Sequence, residues 1–238
     1  RSTPKPSSAA SDVYKRQMVV PEGAHGGYRE QIVLKANAVV PAPSSSSHIE
    51  ACTLPMNGLT ARLSLDLLNL KAGQTLAVTG AAGAYGGYII QLAKTEGLQV
   101  IADASDQDRE LVSSLGADIV LPRGDNIAQN IRDLFPEGVD GLADGAVQND
   151  LVVDAVKDGG AFTAVRGYDG VPQRNINFSQ TWVRSYDGQF EKLSVLVKLV
   201  EERKLTLRVA DVFRPEEASI AHNRLEAGGT RGRLIIKF

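Results

Sequence analysis

The run Gly80-Ala81-Ala82-Gly83-Ala84-Tyr85-Gly86-Gly87 constrains this chain more than any other feature. It follows Thr75-Leu76-Ala77-Val78-Thr79, a short strand whose apolar centre fits a parallel strand buried on both faces. It precedes Gly86 to Glu96, expected as a helix with Ile89, Ile90, Leu92 and Ala93 on its buried side. Strand, tight glycine turn and helix in succession form the setting of a phosphate-binding turn. Glycines let the backbone turn sharply and let a pyrophosphate approach, and free N–H groups at the helix start then face the negative charge. The spacing is G-x-x-G-x-x-G rather than G-x-G-x-x-G. A dinucleotide is the favoured ligand. A plain βα turn and a nucleotide-like ligand such as a methyl donor are the alternatives. A Walker-type phosphate loop is excluded, because no Lys-Ser or Lys-Thr follows the glycines.

The same alternation continues. Val100 to Ala102, Asp118 to Leu121, Val139 to Ala143 and Ala161 to Val165 are expected strands. Helices are expected over Asp106 to Leu115, Asn126 to Leu134 and Gln148 to Val156, two of the joints being marked by Gly97 and Gly116. Repeated β-α units with short joints give an α/β, doubly wound parallel sheet. Beyond Gly170 the rhythm loosens into a short strand at Asn175 to Phe178 and a helix over Gln189 to Arg203 striped by Leu193, Leu196, Val197 and Val200. A strand over Leu205 to Val212, a helix over Pro215 to Leu225 and a last strand over Gly232 to Phe238 follow.

Before the repeat, Tyr28 to Leu34 and Asn37 to Val40 are β-type runs. Ser44 to Ser47 form a polar loop that caps a helix starting near His48. Pro55 is expected to stop or kink that helix, with Thr60 to Leu70 helical after it. Residues 1–17, rich in Ser, Pro and basic side chains and without apolar periodicity, are expected to be a disordered or non-native leader.

Composition removes several function classes. Twenty-six basic against 28 acidic residues leave no basic excess for nucleic acid or an anionic membrane. No apolar run approaches the ~20 residues of a membrane-spanning helix. One cysteine, Cys52, excludes a disulfide framework and any multi-cysteine metal cluster within the 238 residues. Cys52 is expected to be a buried apolar residue. His25, His48 and His222 have no ligand spacing and are expected at the surface or at caps. No nucleophile-elbow pattern is present, and no Tyr-x-x-x-Lys pair follows the fourth strand. A cytoplasmic protein is expected.

The end of the second strand leaves the cofactor type open. Asp103, 20 residues past Gly83, fits an acid that bonds the adenosine ribose and favours NAD(H). Ser105 and Arg109, with Arg123 after the third strand, offer a hydroxyl and cations to a 2′-phosphate and favour NADP(H). NADP(H) is the preferred reading.

The segment from Leu68 to Lys94 around the glycine loop resembles the medium-chain dehydrogenase/reductase superfamily, with the zinc-independent quinone oxidoreductases as its most similar branch. Supporting pieces are Gly58 to Ala61, Gly26 to Glu30, Gly116 to Asp118, Asp158 to Gly167 and His222 to Phe238. The resemblance covers Val19 to Phe238. It implies a Rossmann-type cofactor domain with remnants of a GroES-like β-barrel. The implied division is a barrel remnant over 18–57, the dinucleotide domain over 58–186, and C-terminal helices and strand over 187–238. It also implies that most of the barrel is missing and that the chain is part of a longer enzyme.

By resemblance, Thr60 lies near the nicotinamide, and Gly80, Gly83, Ala84, Tyr85 and Gly86 cradle the pyrophosphate. Arg166 and Gly167 border the nicotinamide, and Arg231 and Arg233 flank Gly232 at a position often basic in the family. Tyr85 replaces the usual small aliphatic residue; facing outward it would stack on the cofactor or narrow the cleft, facing inward it would be packing. Met56 stands where zinc-dependent relatives carry a ligand cysteine, so no zinc is implied. The implied activity is NAD(P)H-dependent reduction of a quinone, enone or related carbonyl compound, in a possible homodimer; the alternatives are a non-catalytic dinucleotide-binding module and a zinc-type alcohol dehydrogenase relative.

Overall fold

The structure is a computed structural model that describes the backbone of 16–17 and residues 28, 31, 39–168, 170–186 and 190–238. Most of the leader, the β-type runs before Val39 apart from Tyr28 and Gln31, His25, and Gln189 at the start of the expected long helix lie outside the described residues. Arg16–Gln17 (β1) pairs antiparallel with Val40–Pro41 (β2). Ser47 caps the short helix α1 (His48–Ala51) in a capping box with Glu50, as the serine loop suggested.

Pro55 does not stop a helix. It sits in the first turn of α2 (Leu54–Leu68), where its missing N–H and fixed φ are tolerated, so a chain expected to break there instead starts a 15-residue helix. The expected domain boundary at 57/58 falls inside that helix.

The central sheet has six parallel strands in the order β5-β4-β3-β6-β7-β8. Its members are β3 (Thr75–Thr79), β4 (Gln99–Ala104), β5 (Ile119–Pro122), β6 (Val139–Asp144), β7 (Val156–Ala164) and β8 (Asn177–Gln180). Side chains alternate between two cores, as a sheet covered on both faces requires. Leu76, Val78, Val100 and Ala102 pack with α2, α3 (Ala84–Thr95) and α7 (Phe190–Glu201), whereas Ala77, Ile101 and Leu142 pack with α5 (Ile127–Leu134) and α6 (Asp150–Val153). The sheet is therefore the doubly wound Rossmann-type sheet expected.

Several elements differ in extent. α3 begins at Ala84, two residues early, so the second half of the glycine run is helix. The helix expected over 106–115 is a 3-10 turn, Asp106–Asp108, followed by α4 (Arg109–Ser114). α6 has only four residues, because Asn149 takes a left-handed φ of 52° before it and β7 starts at Val156 behind it. Leu205 to Arg208 are not strand; β9 is Val209–Phe213, pairing in parallel with β10 (Arg233–Ile236) across α8 (Ala218–Glu226).

Candidate functional site

The strand order reverses between β3 and β6, and a crevice opens beyond the carboxyl ends of these two strands. Two cavities meet there at Gly80, Gly83, Gly145, Ala146 and Thr230. The smaller, about 480 Å³, extends over β4 between Asp103, Arg123 and Arg231. The larger, about 870 Å³, runs between Thr60, Tyr85 and Arg166 on one side and His222 and Arg233 on the other.

The glycine loop is shaped for close backbone approach. Gly80 holds φ at 64°, and a side chain there would also strike the Gly145 backbone at 2.9 Å. A methyl at Gly86 would lie 2.5 Å from the Gly80 carbonyl oxygen. The helix can therefore start against the strand only if residue 86 is bare. The first-turn amides of α3 have no carbonyl partner within the helix, and Ala84, Tyr85 and Gly86, which carry them, line the larger cavity. This cradle fits a pyrophosphate; the dinucleotide itself would span both cavities.

Acidic side chains set the surrounding loops. Asp103, 2% exposed, accepts from Ala81 N at 3.0 Å and from Arg123 Nε at 3.1 Å, so it braces the loop and anchors an arginine at once. Asp144, fully buried, accepts from Thr79 Oγ1 at 2.5 Å, Ala146 N at 3.1 Å and Asn149 N at 2.7 Å. It thereby fixes the turn after β6 that lines both cavities. An acid closing the apolar run Gly141-Leu142-Ala143 was its one sequence signal.

The expected adenosine-end residues separate. Arg123 lines the smaller cavity. Ser105 and Arg109 do not line it: the Ser105 hydroxyl donates to Asp108 Oδ2 at 2.7 Å, and Arg109 Nη1 donates to the Val120 carbonyl at 2.8 Å. The second cation there is Arg231, bound to Asp108 through Nε at 2.5 Å and Nη2 at 2.6 Å. That fork holds the Asp108 carboxyl below its usual range and raises Arg231.

Thr60, Gly80, Gly83, Ala84, Tyr85, Gly86, Arg166 and Arg233 all line the larger cavity, while Gly167 does not. Thr60 Oγ1 donates to the Met56 carbonyl at 2.6 Å. Arg166 and Gly167 both hold left-handed φ values, 65° and 69°, at the turn after β7. Tyr85 lines the larger cavity and also has an inward contact. Its ring borders the cavity against Gly145, and its hydroxyl turns inward to Ser64 Oγ at 2.7 Å, which in turn meets Thr181 Oγ1 at 2.8 Å. Burial pushes the Tyr85 phenol well above its ordinary pKa, so it stays protonated.

Cys52, expected to be buried, and His222, expected at the surface or at a cap and indeed exposed, both line this cavity. Cys52 is exposed rather than buried, with its Sγ 3.2 Å from the Ile49 carbonyl. The break between α1 and α2 leaves it facing the opening. His222 Nε2 shares a 2.6 Å hydrogen bond with the Tyr28 hydroxyl, and the Tyr28 ring packs on Phe238 as well. Among the described residues no group of three or more His, Cys, Asp or Glu side chains is placed to hold a metal. No helix among them is long and apolar enough to cross a membrane.

Arg208 was not singled out by sequence. Its Nη1 donates to the Ala82 carbonyl at 2.9 Å and its Nη2 to the Gly83 carbonyl at 2.5 Å, from a residue 125 positions away.

Comparison with known proteins agrees with this geometry. A family profile described as zinc-binding dehydrogenase matches residues 115–236. A zinc-type alcohol dehydrogenase-like protein of Staphylococcus epidermidis is 26% identical over 242 residues, covering 90% of this chain and 72% of that protein. A 2-methylene-furan-3-one reductase of Solanum lycopersicum is 31% identical over 229 residues, covering 94% of this chain and 56% of that protein. The crystal structure of an NAD-dependent alcohol dehydrogenase superposes with a TM-score of 0.77 at 28% identity, over 90% of this chain and 66% of that one.

Proposed function

The chain belongs to the zinc-binding dehydrogenase family, within the medium-chain dehydrogenase/reductase superfamily, and from that premise we propose a zinc-independent NAD(P)H-dependent reductase of quinones, enones or related carbonyl compounds. The observation that carries the reading is the meeting of the two cavities at the glycine loop, on the strand-order switch point. When bound, the dinucleotide supplies hydride. The chain supplies the rest: α3 amides for the pyrophosphate, Asp144 and Gly145 to shape the turn beside it, and a second cavity in which an acceptor would sit. The Tyr28 hydroxyl, joined to His222, and the Arg166 side chain are the polar groups there suited to an acceptor oxygen.

NADP(H) is the preferred cofactor in this reading, because Arg123 and Arg231 both line the smaller cavity. The tomato relative's name specifies a methylene ketone, which supports an enone over a simple alcohol. β8, last in the strand order of the sheet among the described residues, is proposed as the surface for homodimer formation.

The test is made on the full-length protein. NADPH at a hundredfold excess over its Kd stabilises a folded binder by about 2.7 kcal/mol, a readily measured rise in Tm. Oxidation of NADPH is then followed across a panel of quinones and enones. No thermal shift with either NADPH or NADH overturns the cofactor site. Stoichiometric zinc in the purified protein overturns zinc independence.

A further inference from the structure

The loop Leu205 to Arg208 leaves the end of α7 and delivers one arginine to the reverse side of the glycine loop. Arg208 is half-buried, and desolvation lowers its pKa. Among the described residues no carboxylate forms an ion pair with it. Asp108 acts on it through space, and that acid is already forked onto Arg231. Its hydrogen bonds all go to backbone carbonyls: Ala82, Gly83 and, at 3.4 Å, Arg231. Gly87 is bare beneath it, and any side chain there would collide with the guanidinium. A desolvated cation paired only with neutral carbonyls is unfavourable until an anion approaches.

The carbonyl chosen is informative. Gly83 C=O shares its peptide with the N–H of Ala84, the first residue of α3, whose residues line the cavity. Donation to a peptide oxygen polarises that peptide and makes its N–H the stronger donor. Gly83 O also accepts from Gly87 N at 3.0 Å, which adds to the effect. The cationic charge thus stands one peptide layer behind the place where phosphates would dock.

We propose that Arg208 is a positioning residue for the dinucleotide pyrophosphate, holding the loop carbonyls back and presenting its charge through the Gly83–Ala84 peptide. The proposal rests on the dinucleotide reading above. It differs from a simple brace because the gain appears only when phosphates are present and weakens with salt.

Arg208→Met and Arg208→Lys are made in the full-length protein, and NADPH, NADH and ADP-ribose are titrated calorimetrically at low and high ionic strength. Arg208→Met weakens all three about tenfold or more, as expected for a charge at partly screened distance, and flattens the salt dependence. Arg208→Lys loses part of the affinity and keeps the salt dependence. ADP-ribose carries the pyrophosphate without nicotinamide, so equal losses across the three ligands assign the effect to the phosphates. Should Arg208→Met fail to fold, Arg208→Gln carries the same comparison. Wild-type affinity in the neutral variant overturns the proposal, as do equal losses in the lysine and neutral variants with an unchanged salt slope. A folded wild-type protein that binds none of the three ligands overturns the dinucleotide reading itself, and the proposal with it.

Discussion

Gly86 has no room for a side chain, and that single position ties the helix start to the strand end. Alanine there would gain about 1 kcal/mol of helix propensity. Its methyl would meet the Gly80 oxygen at 2.5 Å and the Ala81 Cα at 2.7 Å, both backbone atoms that cannot swing aside. Overpacking of this kind costs about 2–3 kcal/mol. Gly86→Ala should therefore lower Tm and weaken NADPH binding together, read by thermal melting and titration; an unchanged affinity would show that the close approach does not shape the cradle.

Asp140 does its work at the opposite end of the sheet. Burial alone would raise its carboxyl, but Lys157, Thr75 N at 2.7 Å, Thr75 Oγ1 at 2.8 Å and Gln74 Nε2 at 2.9 Å hold it at about 2, against an ordinary 3.8. A depressed carboxyl stabilises the fold above its unfolded pKa and loses that stabilisation as pH falls through the folded value. The contribution is roughly 2 kcal/mol at neutral pH. Asp140→Asn should cost that amount at pH 7, with the gap to wild type closing between about pH 4 and pH 2 in urea melts. A gap that persists to pH 2 would assign the cost to packing instead.

Among elements, the segment between α8 and β10 decides how the adenosine end is read. It brings Gly229, Thr230 and Arg231 over the smaller cavity, and the Arg231–Asp108 fork fastens it to the turn before α4. A 2′-phosphate must compete with Asp108 for that guanidinium. Asp108→Asn removes the competitor and should raise the ratio of NADPH to NADH affinity by about tenfold, in keeping with charge-assisted hydrogen bonds of about 1.5–3 kcal/mol. Equal titration constants for the two cofactors, unchanged from wild type, would place the 2′ position elsewhere.

These elements also show what the sequence could and could not reveal. β3, β4 and β6 were legible because a doubly covered parallel strand is an apolar run with glycine punctuation. The glycine loop was legible for the same reason: its residue types answer to local backbone geometry. Pro55 misled because a proline marks either a helix end or a helix start, and only the packing of Leu54 and Leu59 decides which. Ser105 and Arg109 had the right chemistry in the right segment of the chain. A 3-10 turn and a neighbouring carbonyl redirected them, which no residue count reports. Arg208 and the Tyr28–His222 pair depend on contacts across 125 and 194 positions, and nothing local in the chain encodes such partners.

At the scale of the whole molecule, the cavities are not the property of the parallel sheet alone. Their walls come from α2 through Asn57 and Thr60, from the turns after β3 and β6, and from the C-terminal run Gly229 to Ile236. Arg208 already links two of these, since it bonds both the glycine loop and the Arg231 carbonyl. A ligand that touches all three walls must suppress the opening of each, because local opening breaks its contacts. NADPH should therefore slow amide exchange at 57–60, 80–86, 145–147 and 229–236 in one concentration-dependent step when the full-length protein is followed by hydrogen–deuterium exchange. ADP-ribose, which lacks the nicotinamide end, should protect 80–86 and 229–231 and leave 57–60 as in the free protein. Protection confined to 80–86 with either ligand would mean that the C-terminal run is a neighbour of the cofactor site and not one of its walls.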